Sequence, residues 1–143
     1  MKITTVMCAI GLWAAAVPAA TPAATPAATP VAAAEAVALA WLGQVDAGNY
    51  AQSWSSASSV FRQKISAPQW QSAAASARAP FGALKSRTLL SATPQSALPG
   101  APDGQYVVIQ FTSSFEHKAS AVETVTPVMD TDGKWHVSGY YIK

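Results

Sequence analysis

The apolar positions of this chain follow a helical period in its first half and a strand period in its second half. Between residues 34 and 45 the large apolar side chains recur every three or four positions, at Val37, Trp41, Leu42 and Val45. That spacing places them on one face of an α-helix. A second stripe of the same period predicts a second helix and consists of Tyr50, Trp54, Ala57 and Phe61.

Capping residues mark where these helices begin and end. Gly48 and Asn49 lie between the two stripes, where a glycine can end one helix and an asparagine can cap the next. Ser66 and Gln69 form a capping-box pattern with Pro68 in the first turn, which predicts a third helix that ends near Pro80. We therefore expect three helices.

Beyond residue 105 the apolar period changes to two. Val107, Ile109, Phe111 and Phe115 alternate with polar residues, as in a strand with one buried face. Ranges 83–93 and 120–130 predict two further strands, and Pro127 indicates an edge or a bulge. A last strand follows the turn at 130–133. Its alternation predicts one face with Trp135, Val137 and Tyr141, and the other with His136, Ser138 and Tyr140.

Helices followed by a meander predict an α+β fold with three N-terminal helices packed on a roughly four-stranded antiparallel sheet. This order is similar to the cystatin-like and nuclear-transport-factor-2-like folds, whose curved sheet often encloses a pocket beneath the helices. By that analogy alone, we expect a cavity between the helices and the sheet.

Several short sequence motifs of this chain are specific when they are taken together. The helical half contains Trp-Leu-x-x-Val-Asp-x-Gly-x-Tyr-x-x-Ser-Trp from Trp41, and the strand half ends with Gly-x-Trp-x-Val-x-Gly-Tyr from Gly133. With Arg78, Pro80, Gly82 and Arg87 between them, these segments resemble the bacterial family called domain of unknown function 4019. The resemblance covers the chain from about Val31 and implies a secreted or envelope-associated bacterial protein. It supplies no activity and no catalytic residues.

The N-terminal segment has the pattern of a secretory signal. Lys2 precedes an apolar run that ends in small residues, so residues 1–20 are predicted to be a signal peptide, which places the mature protein in the periplasm or outside the cell. Residues 21–30 repeat Thr-Pro-Ala-Ala and predict a semi-extended linker. Residues 31–143 are sufficient for a single domain. Cys8 is the only cysteine, so no disulfide or thiol is expected after cleavage.

The distribution of charge argues against two kinds of partner, and the chain has few titratable side chains suited to catalysis. Without Lys2 the chain keeps eight basic and seven acidic side chains, and the basic ones are scattered, which argues against nucleic acid and against an electrostatic membrane patch. Two histidines without carboxylates at ligand spacing do not predict a metal site. We expect no cofactor and no stable membrane span after cleavage.

Five residues are candidates for a ligand site. Asp46 falls in the last turn of a helix, where a negative charge is unfavourable, so it either pairs locally or serves as a pocket carboxylate. Arg78 and Arg87 flank the helix-to-strand corner and could hold a carboxylate or phosphate, or could pair with Asp46. His117 and Tyr50 complete the set as a candidate acid or base and a candidate hydrogen-bond donor.

These observations favour a noncatalytic module that binds a small ligand or an envelope protein. Two alternatives remain open. One is an isomerase- or lyase-like enzyme that uses Asp46 or His117 as a base. The other is a homodimer formed through an open sheet face that carries Tyr106, Val108 and Tyr140.

Overall fold

A computed structural model describes residues 29–143, so the predicted signal peptide and nearly all of the predicted linker lie outside the described residues. The chain forms four helices followed by four strands: α1 (Pro30–Asp46), α2 (Tyr50–Ser56), α3 (Ser59–Lys64), α4 (Ala67–Arg78), β1 (Leu84–Gln95), β2 (Tyr106–Phe115), β3 (Lys118–Met129) and β4 (Trp135–Ile142). The α+β prediction is confirmed. No helix within residues 29–143 is both long and apolar enough to span a bilayer.

The prediction of three helices is wrong, because the second predicted helix is interrupted. Ser58 adopts an extended conformation, and its side chain accepts a hydrogen bond from Phe61 N as the cap of α3. Its own backbone N–H donates to Val137 O in β4 at 2.9 Å. A serine can serve both purposes, and serines are weak helix formers, so the chain gains a contact with the sheet where a continuous helix would have none.

The four strands form one antiparallel sheet in the order β1-β2-β3-β4. Pro127 lies at a register shift between β3 and β4, which confirms the predicted bulge, although β3 is a central strand and not an edge. The bulge allows a proline inside the sheet because a ladder hydrogen bond is already missing there.

The same irregularity reverses the expected faces of β4. Thr126 pairs with Gly139 and Pro127 pairs with Val137, so Ser138 is the extra residue. Beyond it Tyr140 turns towards the helices, whereas Tyr141 is 62% exposed. The predicted orientation of these two tyrosines is therefore wrong, since strict alternation does not continue through a bulge.

The core lies between the helices and one face of the sheet. The rings of Trp41, Phe61, Trp70 and Tyr140 pack against one another with centroids 5.1–6.4 Å apart. Trp41 Nε1 donates to the Ser53 carbonyl at 2.8 Å and Trp70 Nε1 donates to Ser53 Oγ at 2.9 Å. Both buried indole donors are thus satisfied by one serine, which fixes α2 between α1 and α4.

The open sheet face differs from the one expected. Tyr106 is only 4% exposed, and Tyr140 packs against Trp41 in the core. Of the three residues proposed for a dimer on that face, only Val108 keeps an outward position between buried neighbours Val107 and Ile109. The face predicted from simple alternation is therefore not formed by these residues.

Candidate functional site

Four charged side chains from four different elements meet beside the ends of α1 and α4. Asp46 is the last residue of α1, Arg78 is the last residue of α4, Arg87 lies in β1 and Glu123 lies in β3. We call these four residues the ion-pair cluster. It combines two carboxylates with two guanidinium groups, so its formal charges balance.

Arg87 bridges the two carboxylates. Its Nη1 and Nη2 donate to Asp46 Oδ2 and Oδ1 at 2.8 and 3.0 Å, and its Nε donates to Glu123 Oε1 at 2.9 Å. Arg78 Nη2 approaches Asp46 Oδ1 at 2.6 Å. The planar guanidinium fork matches the carboxylate geometry, which makes Arg87 the centre of the cluster.

Glu123 is completely buried, and neutral groups complete its environment. Ser113 Oγ donates to its Oε1 at 2.6 Å and Tyr140 Oη donates to its Oε2 at 2.7 Å. A carboxylate removed from water requires such partners, and Arg87, Ser113 and Tyr140 provide them here.

Asp46 is confirmed as a paired residue. Burial alone would raise the pKa of its carboxyl, but the hydrogen bonds from Arg87 and Arg78 outweigh that effect and hold the pKa below its ordinary value. The same pairing offsets the unfavourable position of an acid at a helix C-terminus, while Arg78 as the last residue of α4 is favourable there.

The hydrogen bonds of Arg78 leave one of its donors unpaired. Its Nη1 donates to Tyr140 Oη at 3.3 Å, whereas its buried Nε has no hydrogen-bond partner. The guanidinium carbon lies 4.8 Å from the centre of the Phe115 ring, so an aromatic face provides part of the missing electrostatic stabilisation. Burial and the neighbouring Glu123 carboxylate both raise the pKa of the Tyr140 phenol, which keeps it a donor.

A shallow cavity of about 340 Å³ adjoins the cluster and is lined by Val45, Asp46, Tyr50, Ala75, Arg78, Ala79 and Gly82. Three of the five candidate residues, Asp46, Tyr50 and Arg78, therefore share one cavity. Arg87 reaches it only through Asp46. His117 lies in the exposed turn between β2 and β3 and does not line the cavity. A binding role for the five residues stays a prediction.

The cluster offers little free chemistry. The Asp46 carboxylate is engaged by two guanidinium groups, and both arginines are engaged by carboxylates. Within residues 29–143, no group of three or more His, Cys, Asp or Glu side chains could hold a metal ion. The geometry is that of a structural clamp between helices and sheet, because each partner is already neutralised.

A larger cavity lies at the opposite end of α1 and was missed by the sequence analysis. It measures about 440 Å³ and is lined by Pro30, Val31, Pro94, Gln95, Ser96, Gly104, Gln105, Tyr106, Val107 and Trp135. We call it the apolar groove. Its walls come from the start of α1, the end of β1 and the starts of β2 and β4. The predicted antiparallel meander could have indicated this groove, because a meander brings these strand ends to the same edge of the sheet.

A second polar arrangement was also missed. Asp130, in the turn before β4, accepts from Ser59 N and Ser59 Oγ at 2.8 Å each, so a residue distant in sequence caps α3. These hydrogen bonds lower the pKa of Asp130 to about 2. Asp132, in the same turn, pairs with the start of β4: its Oδ2 lies 2.8 Å from His136 Nε2. Only the folded chain brings these groups together.

Comparison with known proteins identifies the family. Residues 37–140 match the family described as "Protein of unknown function (DUF4019)", and since this range exceeds half of the chain, the chain belongs to that family. Comparisons with curated proteins and with solved structures gave no match.

Proposed function

For this member of a family whose description assigns no activity, we propose a noncatalytic binding function, with the apolar groove as the binding site for an extended apolar segment of another protein. The observation that carries the proposal is the groove itself. Its volume of about 440 Å³ lies within the range of ligand-binding cavities, and its lining is mostly apolar.

The chemistry of the lining favours an extended segment. Trp135 supplies aromatic surface beside Pro30 and Pro94, a combination suited to peptides in the polyproline II conformation. Gln95 and Gln105 add side-chain amides that can bond to the exposed carbonyls of such a peptide. Binding in the apolar groove would then leave the ion-pair cluster intact, because none of its residues lines the groove.

The charged residues also favour binding over catalysis. A base must be free to accept a proton, but Asp46 is held by Arg78 and Arg87 with a lowered pKa. His117 lies in an exposed turn and lines neither cavity. The isomerase- or lyase-like alternative therefore has little support from the geometry.

The location of this binding remains part of the proposal. A basic residue at Lys2, the following apolar run and the small residues before residue 21 support export to the periplasm or beyond the cell. N-terminal sequencing of the protein recovered from an envelope fraction tests this. A mature chain that still begins at Met1 would contradict export with cleavage.

The binding test uses titration calorimetry with a synthetic peptide that has the proline-containing sequence of residues 21–30, Thr-Pro-Ala-Ala-Thr-Pro-Ala-Ala-Thr-Pro, as a probe for polyproline II binding. Val31→Glu places a charge in the groove, while the first helical turn tolerates an acid, so folding should be retained. We expect Val31→Glu to weaken binding by about 10-fold, equivalent to about 1.4 kcal/mol.

Ala32→Glu is the matched control, because it adds the same charge to the same turn at an exposed residue outside the groove lining. Its affinity should stay within about twofold of wild type. Equal effects of the two substitutions would contradict the groove as the site. Native mass spectrometry of the protein from its own cells adds a second readout, since a retained nonprotein mass would favour a small-molecule ligand instead.

A further inference from the structure

The described leucines with the largest exposed fractions lie in α1 and β1. Leu39 in α1 is 43% exposed, and Leu89 and Leu90 in β1 are 42% and 57% exposed. Among residues 29–143 the other large apolar side chain with comparable exposure is Tyr141, on the opposite edge strand. Clustered exposed apolar surface marks interaction sites more often than isolated residues do.

The ends of α1 and β1 show that the helix and the strand run antiparallel, side by side. Asp46, at the end of α1, bonds to Arg87 near the start of β1. Pro30 and Val31, at the start of α1, share the groove with Pro94 and Gln95 at the end of β1. Residues 30–46 of a helix span about 24 Å and residues 87–95 of a strand span about 26 Å, so the two midpoints coincide. The midpoints are residues 38 and 91, so Leu39 in α1 lies near the level of Leu89 and Leu90 in β1, and we call this line the α1–β1 seam.

The seam follows a free edge of the sheet. β1 pairs with β2 on one side, and no other described strand pairs with its second side. A register shift between Leu89 and Ser91 places a bulge at the exposed leucines, which interrupts a regular edge. Docking here would therefore depend on side chains more than on added strand hydrogen bonds.

Opposite charges lie at the two ends of the seam. Glu35 precedes Leu39 by one helical turn and is therefore on the same helix face, towards the end of β1. Lys85 is exposed near the start of β1. Neither residue belongs to an ion pair within residues 29–143.

We propose that the α1–β1 seam is the interface of a symmetric dimer of this chain. A two-fold axis through Leu89 and Leu90 places the leucines of the two copies together. It also reverses the direction of the seam, so Lys85 of each copy lies towards Glu35 of the other. A surface with an apolar centre and opposite charges at its two ends is complementary to itself under that rotation, which is the requirement for an isologous interface.

Sedimentation velocity of the purified protein between about 1 and about 300 µM tests the proposal. The wild-type protein should dimerise within this range. Leu90→Glu should weaken dimerisation by at least about 10-fold, whereas Tyr141→Glu, the matched substitution on the other edge, should leave it within about twofold. Circular dichroism checks that each variant remains folded.

A charge exchange provides the sharper readout. Lys85→Glu and Glu35→Lys should each weaken the dimer by about fivefold, and the double exchange should restore it to within about twofold of wild type. Monomer at every concentration, a stronger effect of Tyr141→Glu than of Leu90→Glu, or failure of the double exchange to restore dimerisation would each overturn the proposal. None of these outcomes depends on the peptide groove.

Discussion

Replacing Glu123 with glutamine tests the ion-pair cluster by removing one charge with little change in shape. Glu123 is completely buried, and its oxygens accept from Arg87, Ser113 and Tyr140. In Glu123→Gln the amide oxygen can still accept from Arg87 and Ser113. The amide N–H can donate to Tyr140 Oη, but the Tyr140 O–H then loses the acceptor that it has in the wild-type protein. The main loss is therefore the negative charge that balances two arginines.

The expected cost follows from the difference between buried and hydrated charges. Removing one partner of a buried ion pair costs about 3–5 kcal/mol, and the retained hydrogen bonds place Glu123→Gln near the lower limit, about 3 kcal/mol. Asp46→Asn removes the same charge from the same arginines, but the Asp46 side chain is 18% exposed and water can compensate. We expect a cost of about 1–2 kcal/mol there.

Urea denaturation measured by tryptophan fluorescence gives both values. With a slope of about 1.5 kcal/mol/M, Glu123→Gln should lower the midpoint by about 2 M and Asp46→Asn by about 1 M. Glu116→Gln, on an exposed turn, is the control and should change stability by less than about 0.5 kcal/mol. A cost below about 1 kcal/mol for Glu123→Gln, or a larger cost for Asp46→Asn, would refute the reasoning.

Three further predictions concern turns and caps. Gly82→Ala should destabilise the fold by at least about 2 kcal/mol, and by more than Gly133→Ala does. Both glycines have φ above +70°, but only at Gly82 would an added Cβ lie 2.8 Å from a neighbouring side chain. Equal urea midpoints for the two variants would contradict this prediction. Asp130→Asn should lower the free energy of unfolding by about 1 kcal/mol at pH 7, because the cap of α3 is weakened. The pKa of Asp130 in the folded state, about 2, lies below that in the unfolded state, so the difference in stability between wild type and variant should be complete above about pH 4 and disappear as the pH falls towards 2. A difference in thermal unfolding that persists at pH 2 would argue against this prediction. Burial lowers the pKa of His136, but the hydrogen bonds to Asp132 and to a backbone carbonyl outweigh burial and raise the pKa above its ordinary value. An NMR titration of His136 should therefore show a raised midpoint, and this midpoint should decrease in Asp132→Asn. An unchanged midpoint in the variant would show that Asp132 is not the cause.

Local patterns predicted the kind and order of elements well, and failed where the chain departs from a regular period. The capping box at Ser66 and Gln69 is present as predicted, because its hydrogen bonds join residues only three apart. The break at Ser58 depends on a hydrogen bond to Val137 in β4, and the bulge at Ser138 depends on the pairing of β3 with β4. A periodicity argument has no access to such contacts, and a single extra residue reverses every later orientation.

The candidate site shows the same difference between features set by local sequence and features set by contacts between residues far apart in sequence. Asp46 was identifiable from sequence because an acid at a helix end requires a compensating partner, and the arginines were among the partners considered. Glu123 was not identified, since it occupies a strand position surrounded by Val and Thr, and only the pairing of β2 with β3 brings it to Ser113. The apolar groove was missed for a similar reason: its lining comes from four separate strand and helix ends.

The ion-pair cluster has a further structural consequence for β1. This edge strand has no fully buried residue, so the hydrophobic pattern that fixes strand register elsewhere is weak here. Arg87 pairs in register with Ser113, and its guanidinium bonds to Asp46 and Glu123. A shift by one residue would turn Arg87 to the opposite face and leave both carboxylates without it. The cluster therefore selects the register of β1, which in turn positions Pro94 and Gln95 in the groove at the far end of the same strand.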